Sequence, residues 1–281
     1  GSVVDSNTGN DVTSVALVVD AVTGIDLDTT VTSVDADVTG TGTINIADTD
    51  ALTVIKANTF DGTIELSGTS LLVSEVNAGT ENVTLTASSA GITDGNMGSN
   101  NITGGLLIAD AVTGIDLDTT VTSVDLTVSG TGDIDISETD GIIITSADTG
   151  DGDITIVAPE MTIAGAISAN TVTLAGTTGR AISLGADGDA EAAADLDLLD
   201  SELDNITATT LVLGNSSSDD ITFYAEMSPN NAINLTLTTG GSVVDSNTGN
   251  DVTSVALVVD AVTGIDLDTT VTSVDADVTG T

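Results

Sequence analysis

Pairs of apolar residues, two positions apart, recur along this chain at intervals of about twenty residues. A polar residue stands between the two members of each pair, which is the alternation of a strand with one buried face. Gly, Asn and Asp separate successive strands and favour tight turns. In a first series, successive pairs lie nineteen, twenty and nineteen positions apart, and the pairs are Ile25/Leu27, Ile44/Ile46, Ile64/Leu66 and Val83/Leu85.

In a second series, the spacings are nineteen, twenty and eighteen positions, and the pairs are Ile115/Leu117, Ile134/Ile136, Ile154/Ile156 and Val172/Leu174. In several periods a further pair follows, such as Leu52/Val54, Ile142/Ile144 and Met161/Ile163. A period of short strands cannot bury its apolar pair alone, so successive periods must stack about 4.8 Å apart. The pattern predicts an all-β fold, a parallel β-helix (β-solenoid) with coils of about 19–20 residues.

Two longer repeats are superimposed on this period. Residues 241–281 reproduce residues 1–41 letter for letter, and the segment Asp20–Asp35 recurs as Asp110–Asp125. We therefore expect residues 1–240 to form one full repeat unit and residues 241–281 to begin the next identical unit. Within the unit, sub-blocks at about 12–90 and 102–175 are related by a 90-residue offset.

The rival fold is a string of β-sandwich domains, which would explain a 90-residue offset. Sandwich cores usually contain large aromatic side chains. This chain has only Phe60, Phe223 and Tyr224, whereas 40% of its residues are hydrophobic. Small and β-branched side chains suit the thin core of a solenoid instead.

The segment 176–215 interrupts the twenty-residue rhythm, and we expect an irregular insertion there. Residues 190–194 are rich in alanine, and the apolar pattern that follows predicts a short helical excursion near 195–205. Asp200 is the predicted N-cap of this helix.

The charge balance excludes several kinds of partner. The chain has 44 acidic residues, only Lys56 and Arg180 as basic residues, and a net charge of −42. Phosphate recognition needs clustered Lys and Arg, so nucleic acid is not an expected partner, and neither is an anionic membrane. No apolar run approaches the ~20 residues of a membrane span in this segment.

The residue types needed for most enzyme chemistry are missing. The chain has no His and no Cys, which removes the usual general bases and nucleophile pairs, and also rules out disulfides. Carboxylates two positions apart, such as Asp26 and Asp28, flank an inward-facing apolar residue and so decorate the solvent face. We expect no catalytic residues, no required cofactor and no enzyme activity.

Calcium is the one ligand that the acidic turns suggest. Asp148, Asp151 and Asp153 surround two glycines, and a second acidic turn contains Asp187, Asp189 and Glu191. Ca²⁺ prefers several oxygen ligands, and Gly lets backbone carbonyls join them. Two interpretations stay open: specific Ca²⁺ sites at these turns, or diffuse screening of the charge by salt.

Several stretches resemble a known family. They are the segments 235–244 (LTLTTGGSVV), 25–31 (IDLDTTV) and 198–208 (LLDSELDNITA), the last followed one residue later by Thr-Leu-Val-Leu-Gly. These phrases resemble the filamentous haemagglutinin-like giant surface adhesins of bacteria, which are β-strand repeat proteins. The resemblance implies a right-handed parallel β-helix, export to the bacterial cell surface and a role in attachment.

The function expected from these observations is a structural or adhesive extracellular filament built from tandem 240-residue units. Its expected partners are neighbouring repeats of the same chain and lateral contacts between filaments. One alternative is a Ca²⁺-stiffened stalk whose receptor-binding tip lies outside this sequence. Others are an ice-binding solenoid, suggested by runs such as Thr84-Leu85-Thr86, and a polysaccharide-binding solenoid.

Overall fold

The computed structural model describes residues 1–185 and 195–280. The chain divides into two compact units, residues 1–139 and residues 140–281, each of which is described by itself. More than half of the described residues lie in short strands, and the strands of each unit pair in parallel. The predicted all-β parallel solenoid is confirmed.

The first unit contains thirteen of these strands. They are β1 (Val3–Val4), β2 (Val12–Ala21), β3 (Ile25–Val38), β4 (Ile44–Asp48), β5 (Ala51–Thr59), β6 (Ile64–Gly68), β7 (Ser70–Val73), β8 (Val76–Asn77), β9 (Val83–Ala87), β10 (Ile92–Asp94), β11 (Ile102–Ala111), β12 (Ile115–Val128) and β13 (Ile134–Glu138).

The second unit contains the remaining strands and one short helix. They are β14 (Gly141–Asp148), β15 (Ile154–Val157), β16 (Glu160–Ile163), β17 (Ile167–Ala175), β18 (Ile182–Leu184), β19 (Leu196–Leu198), α1 (Asp200–Leu203), β20 (Ile206–Leu213), β21 (Ile221–Phe223), β22 (Ala232–Thr238), β23 (Ser242–Asp245), β24 (Val252–Ala261), β25 (Gly264–Ile265) and β26 (Thr269–Val278).

Each coil of the first unit has three sides, which the separate strands β6, β7 and β8 show most clearly. We call the sides carrying these strands side A, side B and side C. On side A, Ile25 pairs with Ile44, Ile44 with Ile64 and Ile64 with Val83, so the first predicted series stacks in register. The predicted coil length is thereby confirmed.

The two copies of the repeated sixteen-residue segment lie on different sides of the coil. Ile25 belongs to the row of side A, which continues through Val83 to Leu107. Its counterpart Ile115 pairs with Ile92, which pairs with Leu71 on side B. The 90-residue offset therefore advances the segment by whole coils plus one side.

Unequal coil lengths explain this shift. Leu17 pairs with Val34, seventeen residues later, whereas Val83 pairs with Leu107, twenty-four residues later, because residues 95–101 form an extra loop. The apolar period seen in the sequence is thus an average over coils. A solenoid accommodates such variation since additional residues leave the stack at a corner.

The core is a thin column of aliphatic side chains. Val34, Ile46 and Leu66 are completely buried, and the residues that alternate with them along their strands point outward. Burying one such side chain contributes about 1.5–3 kcal/mol. Gly42 and Gly132 occupy equivalent turns in which a Cβ would lie only 2.1 and 1.8 Å from a carbonyl oxygen of the preceding coil, so a larger residue cannot stack there.

In the second unit the chain departs from simple coil-by-coil order. Val172 on β17 pairs with Leu211 on β20, thirty-nine residues later, so about two ordinary coil lengths of chain separate these two stacked strands. Strand β18 pairs with β21, and β19 lies between β16 and β18. Within the range 176–215, where an irregular insertion was expected, β20 thus rejoins the stack in register, while residues 186–194 lie outside the described residues.

The predicted helical excursion is present as α1, but its N-cap prediction was wrong. The helix begins at Asp200 itself, and Leu199 is the N-cap residue. The backbone N–H of Leu199 donates to the Glu202 carboxylate at 2.9 Å, and the Asp200 carboxylate instead accepts a hydrogen bond from the backbone N–H of Ser228 at 2.5 Å. A long-range contact therefore occupies the side chain that local pattern assigned to capping.

The two copies of the 41-residue repeat, residues 1–41 and 241–281, form the same strand pair. Val12 of β2 pairs with Thr29 of β3, and Val252 of β24 pairs with Thr269 of β26, which are the same two positions one full repeat unit apart. The register is identical along both pairs up to Ala21 with Val38 and Ala261 with Val278.

Candidate functional site

The first predicted calcium turn follows β14. Asp148, Asp151 and Asp153 are all exposed, and Gly150 adopts a positive φ of 59° within the turn. The Asp148 carboxylate accepts a hydrogen bond from the backbone N–H of Gly150 at 3.3 Å. The Asp153 carboxylate accepts hydrogen bonds from the next coil, at 2.9 Å from the backbone N–H of Thr171 and 3.2 Å from the Asn170 side chain. The Asp148 carboxylate therefore makes a contact within the turn, and the Asp153 carboxylate makes contacts with the next coil.

The second predicted turn, with Asp187, Asp189 and Glu191, lies outside the described residues. Within residues 1–185 and 195–280, no group of three or more acidic side chains is arranged to hold a metal ion. Specific calcium binding at either turn stays a prediction.

Two carboxylates are buried at corners of the first unit, and sequence reasoning missed both. Asp48 accepts hydrogen bonds from the Thr29 hydroxyl at 2.7 Å and the backbone N–H of Val31 at 2.8 Å. Glu138 accepts from Thr119 at 2.8 Å and the backbone N–H of Val121 at 3.1 Å. Thr29 and Thr119 are the same position of the repeated segment, so each copy presents the same two donors to the following coil.

A polar loop at residues 5–11 precedes the sixteen-residue segment 20–35. The Asp5 carboxylate accepts a hydrogen bond from the backbone N–H of Asn7 at 2.6 Å. The Asn7 side chain accepts a hydrogen bond from the backbone N–H of Gly9 and donates one to the Asp11 carboxylate. Asp11 also accepts a hydrogen bond from the backbone N–H of Asp28 at 3.1 Å. The loop recurs at 245–251 with the same internal contacts. These hydrogen bonds hold the loop against the coil, which gives its polar residues a structural role.

The two copies of the sixteen-residue segment differ at one outward-facing pair of stacked residues, which we call the outward rung. Asp26 pairs with Asn45, whose side-chain N–H donates to the Asp26 carboxylate at 2.9 Å. The equivalent Asp116 pairs with Asp135, so two carboxylates lie side by side. Partial burial, followed by repulsion from neighbouring carboxylates that include Asp94, raises the pKa of Asp116, and burial and the Asp116 charge raise the pKa of Asp135.

A groove of about 420 Å³ lies beside side C of the first unit, near the turn after β5. Its lining includes Asp37, Asn58, Phe60, Asn77 and Gly79. Asp37, Asn58 and Asn77 belong to three successive coils and pair in register, so their side chains form a polar row. Phe60 is 76% exposed at this groove.

One of the two basic residues of the chain lies beside the same groove. The Lys56 ammonium contacts the Asp37 carboxylate at 2.7 Å. The hydrogen bond to Asp37, together with the charges of Asp37, Asp35 and Glu75, raises the pKa of Lys56 despite the opposing effect of burial. The surroundings of the groove therefore favour positive charge.

The sequence contained a signal for this groove. At the 90-residue offset, Asp61-Gly62 matches Asp151-Gly152, and the residue before each pair is Phe60 in one copy and Gly150 in the other. An aromatic residue in place of a turn glycine, in a chain with three aromatics, marks this turn as different. The buried carboxylates gave no comparable signal, because acidic residues are frequent throughout the sequence.

No family model, curated protein or solved structure matches this chain. The parallel solenoid architecture is therefore the part of the likeness to filamentous haemagglutinin-like adhesins that observation supports. Among the residues that the structure describes, no helix is long and apolar enough to cross a membrane.

Proposed function

We propose that this chain is part of a structural filament, exported to the outside of a bacterial cell, in which the 240-residue unit is repeated in tandem. The observation that carries the proposal is the repetition of one strand pair, in one register, from the two copies of the 41-residue sequence. Because a solenoid coil is stabilised by its neighbours, identical units can be added without a new kind of contact.

The surface chemistry supports a passive structural role. Outward positions of the stacked strands carry Asp, Asn, Thr and Ser, and the net charge is −42. A strongly charged surface keeps a long repeat protein soluble and limits unspecific association. An adhesive role, as the family resemblance implies, would place receptor binding on a further part of the protein.

Electron microscopy of chains with one, two and three 240-residue units tests the proposal. We expect rods whose length grows by a constant increment of roughly 50–60 Å per unit, from eleven to twelve coils at about 4.8 Å each. Particles that become rounder or that show separate beads as units are added would contradict a filament. Antibodies against the chain should also label intact source cells without permeabilisation, and labelling only after permeabilisation would contradict export.

A further inference from the structure

The Phe60 side chain has no role in the core. It is 76% exposed, whereas the other phenylalanine, Phe223, is completely buried in the second unit. The residue at the 90-residue offset is Gly150, so the sequence repeat does not call for an aromatic residue at this position. An exposed ring at the edge of a groove offers a flat, electron-rich face to a ligand.

The groove beside this ring is rich in hydrogen-bond acceptors. The Asp37 carboxylate faces it, and the side-chain oxygen of Asn58 is buried with no hydrogen-bond partner among the described residues. An unpaired buried acceptor is costly, and a rotation of the Asn58 side chain toward the groove would let a donor from a ligand relieve that cost. An ammonium group has three donors and no acceptor, which matches an acceptor-rich site.

Lys56 shows that this place accepts an ammonium group. Its Nζ lies 2.7 Å from Asp37, and Asp35 and Glu75 add negative charge around it. Asp61, in the turn that carries Phe60, is held in the carboxylate form because the backbone N–H and hydroxyl of Thr80 donate to it and lower its pKa. The charged groups around this place are therefore four carboxylates and one ammonium, those of Asp35, Asp37, Asp61, Glu75 and Lys56.

We propose that the Phe60 groove binds an alkylammonium group, with the aliphatic part against the Phe60 ring and the ammonium near Asp37 and Asn58. Two sources share this chemistry: a free polyamine and a lysine side chain of a peptide. The site goes beyond the filament function and does not depend on it. Its size, about 420 Å³, suits a short aliphatic ammonium compound.

The two phenylalanines allow a direct test by ¹⁹F NMR. Uniform labelling with 4-fluorophenylalanine places one reporter in the groove at Phe60 and one in the core at Phe223. Titration with cadaverine in a buffer of physiological ionic strength should shift the Phe60 signal along a saturable curve and leave the Phe223 signal unchanged. A Phe60 shift that is absent, or that equal ionic strength of NaCl reproduces, would overturn the proposal.

Variants of the two basic residues separate specific binding from general attraction to an acidic protein. Lys56→Gln releases Asp37 and should raise the affinity for cadaverine at least about two-fold. Arg180→Gln makes the same change in net charge in the other unit, where Arg180 contacts Glu160 at 3.2 Å, and should leave the affinity unchanged. Equal effects of both variants would show diffuse attraction only and contradict the site.

A second pair of variants tests the ring by calorimetry. Phe60→Leu keeps an apolar side chain but removes the π face, and should weaken binding about two- to five-fold. Met97→Leu changes another exposed apolar residue of the same unit, 94% exposed, and should have no effect. Unfolding curves of both variants should match that of the parent chain, and equal affinity of Phe60→Leu and Met97→Leu would count against the proposed contact.

The two ligand sources are distinguished by a parallel titration with the peptide acetyl-Gly-Lys-Gly-amide. A peptide that binds at least as tightly as cadaverine assigns the site to lysine side chains, and tighter binding of cadaverine assigns it to free amines. Failure of both ligands to shift the Phe60 signal would overturn the proposal while leaving the filament function untouched.

Discussion

The segments 20–35 and 110–125 have the same sixteen residues but different neighbours. Ile25 stacks on side A against Ile44, whereas Ile115 stacks on side B between Ile92 and Ile134. Both isoleucines are 1% exposed. The comparison shows that the segment specifies a strand with one buried face, and that the adjacent coils determine which side of the coil it occupies.

The polar partners of the two copies differ more than their apolar ones. One copy meets Asp48 and Asn45 on the following coil, and the other meets Glu138 and Asp135. The sides of the coil are nearly interchangeable for aliphatic residues because small branched side chains fill a thin core in either place. Hydrogen bonds and charges therefore distinguish the copies.

The largest expected effect tests whether the two sides are equivalent. Ile25→Ala and Ile115→Ala each remove a fully buried side chain, and each should lower the free energy of unfolding by about 3 kcal/mol. Thermal and urea unfolding followed by circular dichroism measure the loss, with the 51% exposed Ile55→Ala as the control. A difference of more than about 2 kcal/mol between the two buried variants would show that the sides are not equivalent.

A smaller effect is expected at the buried corner carboxylates. Glu138→Ala leaves the Thr119 hydroxyl and the backbone N–H of Val121 without their acceptor, and should cost about 2 kcal/mol. Asp48→Ala should cost a similar amount in the other copy. The exposed Glu65→Ala is the control, and a loss no larger than the control's would mean that water replaces the carboxylate at these corners.

The outward rung gives an effect of about half a kcal/mol, since both carboxylates face solvent. Asp135→Asn makes the second copy resemble the first and should stabilise the chain at pH 7, while Asn45→Asp should destabilise it. The pKa of Asp135 is raised in the folded state, so the destabilisation by its charge is present above that pKa. The gain from Asp135→Asn should therefore disappear as the pH falls through the raised pKa to the ordinary value of 3.8. A gain that is independent of pH would contradict this origin.

The smallest expected effect concerns calcium, and compares the turn at 148–153 with its counterpart at 58–63. If the first turn binds Ca²⁺, millimolar Ca²⁺ should raise Tm by about 1–2 °C over Mg²⁺ or Na⁺ at equal ionic strength. The double variant Asp151→Asn with Asp153→Asn should remove this increase, whereas Asp61→Asn should not. Identical melting curves in all three salts would show that diffuse screening suffices.

The stacked apolar pairs were predictable because alternation and a twenty-residue period are local properties of the sequence. The side occupied by Ile115 was not predictable, since it depends on the added lengths of all preceding coils, including the loop at 95–101. Asp200 was assigned to capping from its position alone, and its contact with Ser228, twenty-eight residues away, has no local pattern. For the same reason the partners of Asp48 and Glu138 became visible only once the register was known.

The position of β19 between β16 and β18 has a consequence for the order of folding. A chain that folds one coil at a time from its N-terminus would complete β18 before residues 196–198 are available, so the row between β16 and β18 is first left open. In such growth β18 gains its neighbour on the β16 side only after β19 has formed, and β20, which follows β19 in the chain, then pairs with β17. In a tandem array, this out-of-order step would recur once in each 240-residue unit.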